Sequence, residues 1–326
     1  MRVGKSIVFA VGLLMIAGGM FLFFQEAGRE SETPNLEMPE SGTKFPDKCD
    51  RERDGNPVPP ESPNMQDAAY TVSALLEKEA RFALFFSCAS TPQKDILLHA
   101  NIPMRSASMI KVFILGYAME RAKDGTLDLQ ESVTLDDEEK VGGSGILSSY
   151  PSGAEFSVLE MLRLMITESD NTATNIMIDR LGMENINQYI QNRGYTETIL
   201  QRNMMDFLAA ARGMENYTSA RDLGKFFTGL YNHQCVDAVN DAVMIDFLKA
   251  QTDNEALPKA LPYFTVAHKT GELIGAYHDG GILYGDKDYI LIILTDDYEN
   301  REETINAIQE AAKYLVFGES RYAEGT

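Results

Sequence analysis

Between residues 68 and 80 the apolar side chains Ala68, Val72, Leu75, Leu76 and Ala80 recur at helical spacing, which predicts an amphipathic helix. The pattern then changes. Residues 81–88 and 95–100 are short, apolar-rich runs with a turn at Pro92 between them, and they predict two strands. Residues 109–123 return to a helical period. Ile110, Val112, Phe113, Ile114, Leu115 and Met119 give this helix an apolar face so wide that it must be buried. Ser157-Val158-Leu159-Glu160 has the form of a capping box and opens a helix running into Ile166. A further helix begins near Thr172 and closes at Gly182, and others are expected near 184–193, 220–231, 237–251 and 301–317. On the C-terminal side, 264–270, 280–284 and 289–294 read as strands. Strands at both ends of the chain and helices in the middle predict an α+β fold: a sheet assembled from both ends, with a helical subdomain inserted.

The longest apolar run is 7–24, preceded by Arg2 and Lys5 and followed by Glu26, Arg29, Glu30 and Glu32. At about 1.5 Å per residue it spans roughly 27 Å, enough to cross a bilayer core. The basic flank puts the N-terminus inside and the remainder outside. A cleaved signal peptide is the alternative. Its apolar core is usually about 7–15 residues and ends in a small-x-small site. Here Gln25-Glu26-Ala27 has the wrong residue at its first position. In both cases residues 67–326 are expected outside the cytoplasm, held by a single-pass membrane helix within 1–24 or secreted. Residues 25–66 contain Pro34, Pro39, Pro46, Pro57, Pro59, Pro60 and Pro63 and read as an extended, polar linker.

Composition narrows the function. A net charge of -20 over 326 residues argues against a nucleic-acid partner, which needs a basic face. An anionic substrate would have to be caught by local cations such as Lys111 and Lys269. The cysteines are Cys49, Cys88 and Cys235. They allow one disulfide with a thiol left over, or Cys88 and Cys235 are buried small apolar residues. The four histidines are scattered without metal-ligand spacing, so no metal and no cofactor is expected. The domain is expected to act as a monomer.

Three short strings then appear in order: Ser108-Met109-Ile110-Lys111, Ser169-Asp170-Asn171 and Lys269-Thr270-Gly271. The first places a hydroxyl and an amine three residues apart on one helix face, at the helix start where the dipole is positive. The second supplies a hydroxyl and an amide in good turn and N-cap chemistry. The third puts a cation on a strand. S-x-x-K alone is weak, since Ser41-Gly42-Thr43-Lys44 also matches within the linker. The ordered set is far more specific, and over roughly residues 67–318 the chain resembles the penicillin-recognising serine hydrolases, in particular the class A β-lactamases.

The resemblance implies a five-stranded antiparallel sheet flanked by helices, with an inserted all-helical subdomain and the site between them. It also implies roles. Ser108 is the nucleophile, Lys111 its base, and Ser169 the proton shuttle to the leaving nitrogen. Asn171 meets the substrate's side-chain amide, while Asp170 orders the loop. Lys269 and Thr270 meet the substrate carboxylate. The backbone N–H groups of Ser108 and Glu272 form the oxyanion hole. Two departures stand out. Where class A enzymes carry a deacylating glutamate, the chain reads Leu200-Gln201-Arg202-Asn203-Met204-Met205-Asp206-Phe207, with Asp206 its only acid. Asp206 either activates water or pairs with Arg202 and shapes the loop. The stretch after Lys269, Ala276-Tyr277-His278-Asp279-Gly280, has no arginine to help hold a carboxylate. The leading expectation is a β-lactam-hydrolysing enzyme acting through an acyl-enzyme. The alternatives are a D-alanyl-D-alanine peptidase on peptidoglycan and a non-hydrolytic binding module for β-lactams or cell-wall ligands.

Overall fold

Five strands share one sheet: β1 (Arg81–Cys88), β2 (Ile96–Leu98), β7 (Thr265–Leu273), β8 (Ala276–Tyr284) and β9 (Tyr289–Asp296). Their order is β2-β1-β9-β8-β7 and every neighbouring pair is antiparallel. The computed structural model describes residues 65–90 and 95–318. The expected anchor, Ser41, Cys49, linker residues 25–64 and the expected turn at Pro92 lie outside the described residues, while the last two linker positions, Met65 and Gln66, open a helix.

Both faces of the sheet are covered, which is why β1 and β9 are almost continuously apolar. One face, with Phe82, Leu84, Leu291 and Ile293, packs on helices α1 (Met65–Glu77) and α10 (Arg301–Phe317). Ala83, Phe85, Ile292 and Leu294 alternate to the opposite face and join a core with helices from the middle of the chain. Those helices are α2 (Lys111–Lys123), α3 (Val158–Thr167), α4 (Asn171–Leu181), α5 (Met183–Asn192), α7 (Ala220–Tyr231) and α8 (Ala238–Lys249). Two two-stranded ribbons, β3 (Met104–Arg105) with β6 (Tyr217–Thr218) and β4 (Ser132–Thr134) with β5 (Glu155–Ser157), tie the connections down. Two short helices complete the fold, α6 (Phe207–Ala211) and α9 (Leu257–Ala260).

Several expected elements shift by a few residues. The first helix starts at Met65 and ends at Glu77 instead of running 68–80. Ser157 caps α3 through its side chain, which accepts from Glu160 N, but Glu160 turns its carboxylate to Arg163 and completes only half a capping box. The strand expected at 280–284 begins at Ala276. His278 and Asp279 break its apolar pattern, yet both are fully buried because each has buried partners. Cys88 and Cys235 are both buried. Among the described residues no helix is long and apolar enough to cross a membrane.

Candidate active site

Ser108 lies in a 3-10 turn, Ala107–Ile110, that runs directly into α2, whose first residue is Lys111. The wide apolar face of α2 buries it against the helical core, and this carries the Lys111 ammonium group out of water as well; Lys111 is fully buried. Its Nζ donates to the Ser169 carbonyl at 2.6 Å, to Ser169 Oγ at 3.2 Å and to Asn171 Oδ1 at 3.0 Å. Burial first, and the neighbouring charge of Lys269 second, hold Lys111 well below the ordinary lysine range, against a smaller opposing pull from Asp170. A lysine so lowered gives up its proton more readily than an exposed one, which is what a general base needs.

Lys269 reaches the same hydroxyl from β7. Its Nζ lies 3.1 Å from Ser169 Oγ and 2.9 Å from the Thr270 carbonyl. Burial lowers it to about 7, opposed by Asp253 and Asp279. Ser169 Oγ therefore sits between two buried amines, one from the helical side and one from the sheet. Ser169 itself holds a left-handed backbone, φ 51°, which a non-glycine residue adopts at a cost of about 1–3 kcal/mol.

The residue after it holds that turn. Asp170 N-caps α4, accepting from Ala173 N at 2.9 Å. Its second oxygen accepts from Ile146 N at 2.7 Å and Leu147 N at 2.8 Å, so one carboxylate fastens the loop before α3 to the start of α4. Asn171 lies under the same loop, donating to the Gly142 carbonyl at 3.1 Å. Met205, also with a left-handed φ of 64°, packs beside Asn171 and Gly143. Neither the Gly142–Gly143 segment nor Met205 carried a signal in the sequence, because neither forms a periodic element or a known motif.

β7 is an edge strand, and its backbone finishes the site. A Cβ on Gly271 would stand 3.1 Å from Ala107 Cβ and 3.2 Å from Ser108 N, so glycine lets the strand lie close against the turn that carries Ser108 and a side chain would crowd it. Leu273 pairs with Ala276 across a two-residue hairpin, and Glu272 with Tyr277 next to it. The pair flanking a two-residue turn exchanges hydrogen bonds, so the following pair does not. The Glu272 N–H therefore points off the free edge of β7, on the side of Ser108 N. Its carboxylate is bound to Arg301, at 2.7 and 3.0 Å, and takes no part in this geometry. Thr270 is buried beside Lys269.

Ser108, Lys111, Ser169, Asn171, Lys269, Thr270 and Glu272 thus converge. Asp206 does not. It N-caps α6, accepting from Ala209 N at 2.9 Å, and lines a groove with Ile178, Asp179, Met183 and Arg202 that includes none of the converging residues. Nor does it pair with Arg202, whose partner is Glu215 at 2.7 Å.

A serine at the start of a buried helix, a second serine held between two buried lysines and an edge strand offering its N–H groups form the arrangement of a class, the β-lactamase-like serine hydrolases. Residues 68–316 match the model of the β-lactamase enzyme family, and the chain belongs to that family. It is similar to a β-lactamase of Streptomyces albus G, 27% identical over 196 residues, covering 56% of this chain and 62% of that protein. The chain thus spans less than two thirds of this curated relative. Among solved structures it resembles a mutant of PBP-A captured as its acyl-enzyme complex with penicillin G, with 25% identity and a TM-score of 0.71 over 82% of this chain and 100% of that one. A β-lactamase from Sphaerobacter thermophilus shares the fold at 21% identity, with a TM-score of 0.70 over 77% of this chain and 97% of that one.

Proposed function

We propose that the protein is an extracytoplasmic serine acyl-hydrolase that forms an acyl-enzyme on Ser108, with a β-lactam as substrate. The observation that carries this reading is the pair of buried amines on Ser169 Oγ, with Lys111 held well below the ordinary lysine range. Lys111 takes the proton of Ser108 as its oxygen attacks the lactam carbonyl. The N–H groups of Ser108 and Glu272 receive the negative charge that develops on the carbonyl oxygen. Ser169 passes a proton from the lysine side to the leaving nitrogen as the amide bond breaks. Lys269, with Thr270 beside it, holds the substrate carboxylate, and Asn171 meets the side-chain amide. Residues 1–24 tether the domain to the membrane, and 25–66 space it from the surface.

Hydrolysis of the ester is the slow half. It needs a base that holds and deprotonates a water, worth about 10²–10⁴-fold, and Asp206 is committed elsewhere. The acyl-enzyme should accumulate in a burst. The PBP-A mutant, trapped with penicillin G, supports acylation of this architecture. The same slow deacylation favours a second reading, a D-alanyl-D-alanine peptidase that β-lactams block; steady-state turnover of nitrocefin against a D-Ala-D-Ala peptide separates the two. The test of the common step is labelling by a fluorescent penicillin. Wild type should be labelled and Ser108→Ala should not; labelling that survives the substitution contradicts the mechanism.

A further inference from the structure

His278 stands on β8 within the stretch where an arginine would help hold a carboxylate, but it faces inward and is fully buried. Its Nδ1 accepts from the backbone N–H of Thr295 at 3.1 Å. That donor fixes the tautomer: Nε2 carries the proton, and it donates to the Arg105 carbonyl at 2.7 Å. Burial, the largest influence on the ring, keeps its pKa below the ordinary histidine value.

Arg105 ends β3, three residues before Ser108, and its carbonyl is held by His278. The first hydrogen bond of the 3-10 turn runs from Met109 N to the Ser106 carbonyl at 2.9 Å, so the Ser108 N–H lies in the first turn with no acceptor inside it. Ala107, with a left-handed φ of 45°, turns the intervening peptide out of the helical path. Among the described residues no protein group accepts from Ser108 N, and this N–H lies alongside Gly271, one residue from Glu272. The Arg105 guanidinium is fixed from the other side by the buried carboxylate of Asp296 on β9.

We infer that His278 is a positioning residue for the oxyanion hole: by holding the Arg105 carbonyl it fixes the end of β3 from which the turn carrying Ser108 departs, and so the direction of the Ser108 N–H. The inference rests on the proposed acylation of Ser108. It also assigns a use to the residue found where a carboxylate-binding arginine was missing.

Two substitutions separate the ring's contacts. Glutamine carries an amide N–H near the place of Nε2, whereas asparagine reaches only the place of Nδ1. Rapid-mixing kinetics with a fluorescent penicillin give the acylation rate constant and the pre-covalent dissociation constant separately. His278→Asn should slow acylation at least about 10-fold, within the range for a weakened oxyanion donor, with the dissociation constant changed less than about 2-fold. His278→Gln should restore most of the rate. A phenylboronic acid, which places a boronate oxygen in the oxyanion hole, should bind His278→Asn correspondingly more weakly. Equal acylation and boronate affinity in wild type and His278→Asn would overturn the inference, as would a glutamine variant as slow as the asparagine one. Boronate affinity is read without penicillin, so a wild type that is never acylated counts against the functional reading alone.

Discussion

Removing the charge of Lys269 should move the pH profile of acylation in a direction fixed by the geometry. Lys111 and Lys269 both contact Ser169 Oγ, at 3.2 and 3.1 Å, so their nitrogens are no farther apart than the sum of these lengths, about 6.3 Å. Two unit charges at that distance interact by roughly 2.6 kcal/mol at an effective dielectric of about 20, or nearly two pH units. Lys269, lowered to about 7, is charged on the acid side of neutrality, where it suppresses protonation of Lys111. Lys111 works as a base only when neutral, so the acid limb of the profile marks its titration. In Lys269→Gln that suppression is gone, Lys111 holds its proton to higher pH, and the acid limb should rise by about two units. The assay is the rate constant of fluorescent-penicillin labelling from about pH 4 to 9, normalised to each variant's maximum. Loss of the carboxylate contact lowers the whole curve without moving its limb. An acid limb that stays in place or moves to lower pH refutes the argument that the charge of Lys269 lowers Lys111.

Asp206→Ala should leave the lifetime of the acyl-enzyme unchanged while costing about 1 kcal/mol of stability for the lost α6 cap, read by chemical denaturation and the decay of label. Asp170→Asn turns an amide N–H₂ toward backbone donors that the buried carboxylate now satisfies. It should cost about 3 kcal/mol, a Tm loss of roughly 6–12 °C by calorimetry, and slow acylation as the loop over Asn171 loosens. Gly271→Ala presses a methyl on Ser108 N and should slow acylation about 10-fold or more with a much smaller Tm change than Asp170→Asn.

The fold was legible where its physics is periodic. α7 and α10 begin and end where their apolar spacing and caps place them, and the chain-end strands fall in the sheet as expected. From the sequence β8 is legible only over 280–284, because His278 and Asp279 interrupt its apolar run; tertiary partners make them strand residues. β3, β6, α6 and α9 are too short to show a period. In the site, the three motifs placed Ser108, Lys111, Ser169, Asn171 and Lys269, since each motif rides on a predictable helix start or strand. The position of Asp206 was not legible, because a lone acid in an irregular loop has no periodicity to say which way it faces, and its use as a helix cap depends on a helix of five residues. His278 and Met205 could not be read at all: the role of one depends on a carbonyl across the sheet, and the other is held by a loop from another part of the chain.

The central claim is an acyl-enzyme on Ser108 that forms quickly and hydrolyses slowly. Intact-mass measurement after mixing with benzylpenicillin, followed over time and mapped by proteolysis, tests it most directly. The account predicts one adduct of the full penicillin mass within the first time points, located on the peptide containing Ser108 and decaying over many minutes. A protein that never gains mass, or an adduct on any other peptide, would contradict it.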